Sequence, residues 1–253
     1  MKFSGRNIVI GENVRLGKNV RIGDNTTIYD NVFVDDNVTI CNDSVIGEPA
    51  ATYYESVPYS QPETIIGHGS LIRSHNILYA GSTFGPNFVT GHRVTIRENS
   101  VFGRNCQAGT LTDIQGNAVF GDYCKMHSNV HIGEGTRIGN FVFIYPYTVF
   151  TNDSRPPSNS IKGATVGDYS VITVHCVILP DIIIGSNCLI GANSVVNKDV
   201  QDFSFAVGSP AKILRDVREL GAGLYPWMHN FERGMPWAGI GFEKWNADKI
   251  AGK

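Results

Sequence analysis

The middle of the chain contains a small set of titratable and amide side chains. Their chemistry and their spacing suit proton transfer. His127, His131 and Glu134 lie within one stretch of eight residues. Asp113 precedes His131 by 18 residues, and Asn152 follows Glu134 by the same interval. An imidazole can accept a proton near neutral pH, while a carboxylate or a carboxamide can orient a polar reactant. These five residues are candidates for base and positioning roles, provided that the fold brings residues 18 apart together.

An internal repeat of six residues supplies the elements that could do this. Large apolar side chains recur at every sixth position from 10 to 46, from 66 to 150 and from 166 to 196, and Thr90 is the one polar exception. Neither the 3.6-residue period of a helix nor the two-residue period of a strand explains a strict period of six residues. Stacked coils of a parallel β-helix do explain it, since each coil contacts only its neighbours.

The remaining positions of the hexad favour short strands joined by tight bends. Glycine often follows the large apolar residue directly, as at Gly11, Gly17 and Gly23. Asparagine often comes three residues after the apolar residue, as at Asn13 and Asn19. Both residue types tolerate the positive φ angles that such bends need.

If one coil holds 18 residues, residues 18 apart become vertical neighbours about 4.8 Å apart, as in any sheet. Asp113 is then next to His131, and Glu134 is next to Asn152. Other polar columns contain Arg73, Ser74, His92, Thr110, His127 and Ser128, and one of them ends at Tyr145. Polar and titratable side chains on neighbouring outer columns are what a site between subunits needs.

Two insertions and a C-terminal segment interrupt the repeat. Residues 47–63 are rich in Tyr and Pro, and residues 151–163 form a second break. Loops that leave a rigid solenoid are where such folds build sites. We predict a β-helix over residues 1–203 with these two loops, followed by a segment over 204–253. In that segment a capping helix over 210–220 precedes an aromatic tail that holds all three Trp.

Composition narrows the class of protein. The 253 residues include 21 basic and 23 acidic side chains, which argues against a nucleic-acid-binding surface. No stretch approaches the roughly 18 apolar residues of a membrane span. Five Cys without close pairing suit a reduced, cytoplasmic protein better than a disulfide scaffold. We therefore expect a cytoplasmic protein with no disulfide framework and no metal.

The hexad resembles the repeat of the hexapeptide acyltransferases, in which an aliphatic residue and a glycine or acid precede two free positions and a small residue. The resemblance implies an all-β, left-handed parallel β-helix of about nine coils, a homotrimer, and an acyl-CoA in the groove between two subunits. The phrase Val207-Gly208-Ser209-Pro210-Ala211-Lys212 resembles the family's terminal signature, where the acyl-CoA tail is held. The cofactor-binding residues that it implies are Tyr145, Val174, Gly191, Ala192, Pro210 and Lys212.

The chain resembles most closely the N-acetyltransferases that act on nucleotide-linked amino sugars, in particular the 3-amino-3,6-dideoxyhexose type. The matching phrases are Ile72-Arg73-Ser74-His75, Leu78-Tyr79-Ala80-Gly81, Thr90-Gly91-His92, Ile96-Arg97-Glu98, Asp113-Ile114-Gln115-Gly116, His127-Ser128-Asn129 and Thr151-Asn152-Asp153. This resemblance implies acetyl-CoA as co-substrate, a nucleotide-linked deoxyamino sugar as acceptor, and a role in cell-surface polysaccharide biosynthesis.

In that branch, Glu134 and Asn152 are implied to face the sugar amine and the thioester. Arg73 and Arg97 are the natural pyrophosphate partners, since Arg forks match phosphate oxygens. The other candidates for substrate binding are His75, Tyr79, His92 and Asp113, and His127 and His131 complete the catalytic set.

Glu134 stands where the acyl-ACP branch of the family has its catalytic His, three residues after His131. This suits an amine acceptor, because an amine need only be neutral to attack a thioester, whereas a hydroxyl needs a base. The alternatives are a sugar O-acetyltransferase with His127 or His131 as base, a non-catalytic β-helix scaffold, and a zinc carbonic anhydrase that uses His92, His127 and His131.

Overall fold

Short parallel strands joined by tight turns build almost the whole of the described chain. The computed structural model describes residues 5–55 and 58–220. As far as Val195–Val196, successive strands belong to different sheets. Each strand up to Val177–Ile178 pairs with the strand three positions along, 18 residues away in a regular coil. The result is an all-β parallel β-solenoid with three sheets, as the hexad predicts.

Three sheets, named A, B and C, form the three sides of the solenoid. Sheet A holds ten strands: Val9–Ile10 (β1), Thr27–Ile28 (β4), Val45–Glu48 (β7), Ile77–Tyr79 (β10), Thr95–Ile96 (β13), Asp113–Ile114 (β16), His131–Ile132 (β19), Val149–Phe150 (β22), Val177–Ile178 (β25) and Val195–Val196 (β28). Sheet B holds nine: Arg15–Leu16 (β2), Val32–Val34 (β5), Thr64–Ile66 (β8), Thr83–Phe84 (β11), Val101–Phe102 (β14), Val119–Phe120 (β17), Arg137–Ile138 (β20), Thr165–Val166 (β23) and Ile183–Ile184 (β26).

Sheet C holds eleven strands: Arg21–Ile22 (β3), Thr39–Ile40 (β6), Leu71–Ile72 (β9), Val89–Thr90 (β12), Gln107–Ala108 (β15), Lys125–Met126 (β18), Phe143–Ile144 (β21), Val171–Ile172 (β24), Leu189–Ile190 (β27), Ser204–Val207 (β29) and Lys212–Asp216 (β30). Two 3-10 helices, Ala51–Tyr54 and Val217–Glu219, are the helices of the described chain. Within residues 5–55 and 58–220, no helix has the length and apolar character needed to cross a bilayer. The handedness of the coils and the trimer stay predictions.

The core is a stack of the hexad's large apolar side chains, one from each strand. Ile28, Ile40 and Ile46 are fully buried, and so are their counterparts through most of the chain. In the first coil, Ile10 and Leu16 are 49% and 43% exposed, because they lie at an open end of the solenoid. Burial of an aliphatic side chain contributes about 1.5–3 kcal/mol relative to exposure, so the repeat stabilises the fold coil by coil.

Thr90, the exception in the hexad, belongs to a buried polar pair. Its hydroxyl oxygen accepts hydrogen bonds from the Asn76 side-chain amide at 2.5 Å and from the Arg73 backbone N–H at 2.9 Å. Asn76 Nδ2 also donates to the Arg73 carbonyl, and Asn76 Oδ1 accepts from the Val94 N–H at 2.7 Å. The pair satisfies its polar atoms inside the core, as buried polar groups must.

The turns explain the glycine and asparagine positions. Asn13 and Asn19 have φ of 55° and 57°, as the sequence predicts, and such asparagines bond to one another along the corner, as from Asn19 to Asn37 at 3.0 Å. Gly11 does not have a positive φ, so glycine is needed there for another reason. A Cβ at this position would lie 2.6 Å from the Asp30 backbone nitrogen of the next coil. Glycine at this position lets two backbones approach closely.

The two predicted insertions are additions to single coils. Asn76 follows Ser44 by 32 residues across the first insertion, and Asp168 follows Asn140 by 28 across the second, instead of 18. The first insertion carries the 3-10 helix Ala51–Tyr54. In the second, the Asp153 carboxylate accepts hydrogen bonds from Ser158 and from the Arg155 N–H, which lower its pKa.

The predicted capping helix over 210–220 is wrong. Strand β30 turns back antiparallel onto β29, and a 3-10 helix, Val217–Glu219, follows it. The last parallel strand of sheet C presents an open edge, and an antiparallel strand covers that edge with backbone hydrogen bonds. The predicted Trp-rich tail lies outside the described residues.

Candidate active site

Two corners of the solenoid hold most of the predicted site residues, and they flank sheet A on opposite sides. The A–B corner follows each strand of sheet A and includes residues 97–98, 115–117, 133–135 and 151–152. The C–A corner precedes each strand of sheet A and includes residues 73–76, 91–93, 109–111, 127–129 and 145–147. Strand β19 contains His131 and separates His127, in the C–A corner, from Glu134. Asn152 lies in the A–B corner with Glu134, so the four predicted catalytic residues do not share one corner.

Asp113 and His131 form a hydrogen-bonded pair on the outer face of sheet A. The two residues are register partners in strands β16 and β19, and His131 Nδ1 lies 2.9 Å from Asp113 Oδ2. Their side chains are 35% and 50% exposed for His131 and Asp113, so solvent and a ligand can reach them. A carboxylate accepts only, so Nδ1–H donates, and in a neutral ring bonded in this way Nε2 carries the lone pair. The pair therefore has the arrangement of an oriented base.

Beside this pair, a network of side-chain amides orders the A–B corner. Gln115 Oε1 accepts a hydrogen bond from Asn152 Nδ2 at 3.1 Å and a longer one from the Glu134 backbone N–H at 3.4 Å. Asn117 Nδ2 donates to Glu134 Oε1 at 2.9 Å. Glu134 and Asn152 are half-buried and share Gln115, so the predicted column exists and its side chains are held in place.

The second insertion fixes Asn152 from the other side. The Asn152 carbonyl accepts a hydrogen bond from the Lys162 backbone N–H at 2.8 Å, and the next residue, Asp153, forms a bridge with Ile161. The loop thus begins and ends beside Asn152. An inserted loop that is anchored at a candidate site residue stabilises that residue's position.

Arg97 lies toward the N-terminal end of the same corner and is held by two neighbours. Its Nε and Nη2 donate to the two Glu98 carboxylate oxygens at 2.9 Å and 2.7 Å. Its guanidinium also lies 5.6 Å from the centre of the Tyr79 ring. Glu98 raises the pKa of Arg97, so the group stays charged, but part of its donor capacity is already used.

The C–A corner holds a basic cleft. An open depression of about 270 Å³ is lined by Arg73, His92, Gln107, Thr110, Lys125 and His127, among others. Burial lowers the pKa of Lys125. Basic side chains beside the Thr110 hydroxyl form a surface suited to anions.

His127 differs from His131 in its surroundings. Its ring lies 5.7 Å from each of the Phe143 and Tyr145 rings and stacks on both at interplanar angles of 27° and 24°. Burial, and after it the charge of Lys125, lowers the pKa of His127. His127 therefore favours the neutral form, which suits a ring that packs against aromatic groups.

The predicted cofactor residues continue the C–A corner toward the C-terminus. Thr173 N–H donates to the Ile190 carbonyl, and Gly191 N–H donates to Ala206, so the column of His127 and Tyr145 extends to Gly191. Val174 and Ala192 lie one residue further along their turns, and Ala192 is exposed. Pro210 and Lys212 are exposed at the capping turn, where the Val195 N–H donates to the Gly208 carbonyl. The six residues thus follow one edge.

His75 lies in the C–A corner but is not among the residues that line the basic cleft. It occupies a left-handed turn with φ of 64° in an N-terminal coil, and its Nε2 is 3.9 Å from Asp43 Oδ2. Its predicted role in substrate binding stays a prediction. Sequence reasoning also missed Gln115 and Lys125 as site residues, although the 18-residue rule places Lys125 beside Phe143 and Gln115 beside Gly133.

No metal centre is visible in the described part of the chain. Among residues 5–55 and 58–220, no three His, Cys, Asp or Glu side chains lie close enough together to hold an ion. His92 and His127 line the C–A corner, whereas Asp113 engages His131 on the outer face of sheet A. The three histidines of the zinc hypothesis therefore do not meet within one chain.

Comparison with known proteins identifies the repeat. Residues 162–198 match the family described as bacterial transferase hexapeptide (six repeats). This segment of the chain is therefore similar to that family's repeat. The same hexapeptide hexad runs through the coils on the N-terminal side of this segment, where the candidate site lies.

Curated relatives are similar to part of this chain. The galactoside O-acetyltransferase of Escherichia coli (strain K12) is 28% identical in an alignment of 114 residues that covers 36% of this chain and 56% of that protein. The serine acetyltransferase of Staphylococcus xylosus is 36% identical over 93 residues, which are 36% of this chain and 42% of that protein. The matches span about half the length of these relatives or less.

A solved structure supports the fold across most of the chain. The UDP-N-acetylglucosamine acyltransferase of Arabidopsis aligns with a TM-score of 0.51 and 18% identity, over 84% of this chain and 74% of that one. At this identity the likeness concerns the solenoid fold alone.

Proposed function

We propose that this hexapeptide-repeat protein is an acyl-CoA-dependent N-acyltransferase that uses acetyl-CoA and acts on the amino group of a nucleotide-linked deoxyamino sugar. The observation that carries the proposal is the Asp113–His131 pair beside the ordered amides of Gln115 and Asn152. The repeat family and the acetyltransferase names of both curated relatives support the acyl-transfer chemistry. The sequence phrases that resemble amino-sugar N-acetyltransferases support the acceptor.

The oriented imidazole can serve an amine acceptor. An amine attacks a thioester only as the neutral base, and His131 Nε2 can take the proton that the nitrogen loses. The nitrogen bonds to the acyl carbon, the carbon–sulfur bond breaks, and the thiolate receives the proton from the imidazolium. Asp113 stabilises the charged imidazole during this step, while Glu134 and Asn152 orient the amine and the acyl group.

The C–A corner offers a surface for the acyl donor, acetyl-CoA. Tyr145, Val174, Gly191 and Ala192 follow one edge that ends at the exposed Pro210 and Lys212. A pantetheine arm is long and thin, and an edge of small and half-buried residues gives it a continuous surface. The basic cleft around Arg73 and Lys125 offers partners for phosphate groups.

A complete site needs both corners, which sheet A separates within one chain. In the homotrimer that we propose, the C–A corner of one subunit faces the A–B corner of its neighbour across the groove. The acyl-CoA of one subunit would then reach the Asp113–His131 pair of the next. A cyclic trimer makes three identical heterologous interfaces of this kind.

An O-acetyltransferase is the second candidate, and the Asp113–His131 pair favours it. A hydroxyl acceptor needs a general base more than an amine does, and the geometry supplies one. The galactoside O-acetyltransferase relative adds weight to a sugar hydroxyl.

The nature of the new bond separates the two functions. Purified protein is incubated with acetyl-CoA and matched nucleotide sugars that carry either an amino or a hydroxyl group at the same ring position. The N-acyl proposal predicts a product with the mass of one added acetyl group that survives hydroxylamine, because amides resist it and esters do not. A hydroxylamine-sensitive product formed only from the hydroxyl sugar would replace the proposal by the second candidate.

A further inference from the structure

We propose that the tyrosine cluster of the first insertion, Tyr53 and Tyr54, is a stacking platform for the nucleobase of the acceptor. The inference rests on the proposed function and deepens it, since it names the residues that would distinguish a nucleotide-linked sugar from a free one. Its observations are the exposure of two adjoining rings, their anchoring to sheet A, and their distance from the Asp113–His131 pair.

The cluster presents aromatic surface to solvent in a fixed arrangement. Tyr53 and Tyr54 are 49% and 67% exposed. The Tyr53 ring meets the rings of Tyr54 and Tyr59 edge to face, with centroids 5.0 Å and 5.3 Å apart. Exposed tyrosines that pack against one another lose little entropy when a flat ligand stacks on them.

The insertion is tied to the solenoid near sheet A. The Tyr54 hydroxyl donates to Glu48 Oε1 at 3.0 Å, and Glu48 belongs to strand β7. Gln61 Nε2 donates to the Gly47 carbonyl, and the Gln61 carbonyl accepts from Asn31 Nδ2 at 2.8 Å. The rings therefore lie at a defined place rather than on a free loop tip.

The strand pairing in sheet A gives the distance between this insertion and the candidate base, His131. Glu48 pairs with Tyr79, the strand of Tyr79 pairs with that of Thr95, and Thr95 pairs with Asp113, next to His131. At about 4.8 Å per strand, Tyr79 is ~14 Å and Glu48 ~19 Å from His131 along sheet A. Tyr54 bonds to Glu48, so its ring lies near the far end of this interval.

A nucleoside diphosphate sugar spans the same interval. About thirteen covalent bonds join the glycosidic nitrogen of the base to an amine at the third carbon of the sugar. An extended chain gains roughly 3.5 Å for every three bonds, which gives ~15 Å before the width of the base is added. With its amine at His131, such a ligand would place its base beyond Tyr79, at the exposed rings.

The charge along this path also fits the ligand. Arg97 lies one strand from Tyr79 and between the tyrosines and the Asp113–His131 pair. A ligand that extends along sheet A would place its pyrophosphate near Arg97, whose side chain is 42% exposed despite its bonds to Glu98. Along sheet A the protein thus presents aromatic rings, then a guanidinium, then an imidazole. This is the order in which the ligand presents its base, its pyrophosphate and its amino sugar.

Titration calorimetry in the presence of CoA tests the platform without catalysis. The ligands are thymidine diphosphate, uridine diphosphate and inorganic pyrophosphate. The proteins are the wild type, Tyr53→Ala/Tyr54→Ala and the control Tyr53→Phe, which keeps both rings and the hydrogen bond from Tyr54 to Glu48. Base–aromatic stacking predicts that the alanine variant loses at least about fivefold in affinity for the preferred nucleoside diphosphate. The phenylalanine variant keeps its rings and should stay within about twofold, and pyrophosphate binding should be the same in all three.

The outcomes separate this inference from the proposed function. Wild type that binds neither nucleoside diphosphate more tightly than pyrophosphate overturns the platform, as does an alanine variant with unchanged affinity or an equal loss for pyrophosphate. If transfer to a free amino sugar is then observed, the proposed function stands alone. Loss of base-dependent binding in the alanine variant, in a protein that transfers no acyl group to any amine, supports the platform and refutes the proposed function.

Discussion

His131 and Asp113 are vertical neighbours in sheet A, and the imidazole Nδ1 lies 2.9 Å from the carboxylate Oδ2. The two residues are 18 positions apart in the chain, and only the coil brings them together. The bond fixes the ring orientation and leaves Nε2 free of this partner. Proton transfer during acyl transfer is the role that this geometry suits best.

Removing the imidazole should therefore remove most of the activity. We expect His131→Ala to lower kcat about 10²–10⁴-fold, the usual contribution of a positioned base, with a smaller change in KM for acetyl-CoA. Asp113→Asn keeps the size of the side chain but can present an N–H to Nδ1, so it should also lower kcat. Steady-state kinetics with the amino-sugar acceptor measure both. Full activity in His131→Ala would show that the imidazole is not the base.

Substitutions in the A–B corner test the roles of Glu134 and Asn152, and Glu12 in the same corner of another coil provides the control. Glu134→Ala and Asn152→Ala should each lower kcat/KM for the acceptor at least about tenfold, because each removes a group that orients the reactants. Glu12 occupies the same corner of the first coil, far from the pair, and Glu12→Ala should behave as wild type. Equal effects of all three substitutions would point to a loss of fold stability instead.

His127 should titrate at a lower pH than an ordinary histidine. Burial and the charge of Lys125 lower its pKa, so an NMR titration should place its midpoint below the value of about 6.5 of an unperturbed imidazole. Lys125→Met keeps the apolar stem and removes the charge, and it should move the midpoint upward. A midpoint at or above 6.5, or one that Lys125→Met leaves unchanged, would contradict the assignment.

The same shift predicts how His127 contributes to stability as pH changes. Above about pH 6.5 the ring is neutral in both the folded and the unfolded chain, so its titration does not change the free energy of unfolding. Below that pH the unfolded chain binds a proton first, so the contribution of His127 to the free energy of unfolding falls. The fall ends once the pH is below the lowered pKa of the folded state. Replacing His127 by Asn should remove this component from the pH dependence of denaturant midpoints.

Thr90 provides a stability prediction that opposes the hexad pattern. Thr90→Val restores an apolar residue at this position, yet it leaves Asn76 Nδ2 and the Arg73 N–H without their shared acceptor. We expect a loss of about 1–3 kcal/mol in the free energy of unfolding. Thr90→Ser keeps the hydroxyl and should cost only about 0.8 kcal/mol for the lost methyl group. A valine variant as stable as the wild type in urea titrations would contradict this account.

The repeat made the solenoid and the vertical pairs predictable. A strict period of six determines which side chain of each strand is buried, and the 18-residue coil then places Asp113 beside His131. The side-chain orientations within a corner do not follow from the period. Gln115 is on the neighbouring column to Glu134, yet its amide oxygen reaches both Glu134 and Asn152.

The chain ends were less predictable because the repeat says nothing about what covers the last coil. Residues 210–220 contain Ile213, Leu214 and Leu220, which are compatible with a short helix. Ile213 and Leu214 instead belong to an antiparallel strand that pairs with the open edge of β29. A tertiary requirement thus overrides local pattern, as it often does for strands.

The central claim is tested most directly by thiol release from acetyl-CoA with a panel of thymidine- and uridine-diphosphate-linked amino sugars. Wild type is measured beside His131→Ala, Glu134→Ala and Asn152→Ala, with Glu12→Ala as the control. The account predicts thiol release that depends on an amino sugar, persists in the control and falls in all three site variants. Release that is unchanged in the three site variants, or no release with any amino sugar from a folded protein, would contradict it.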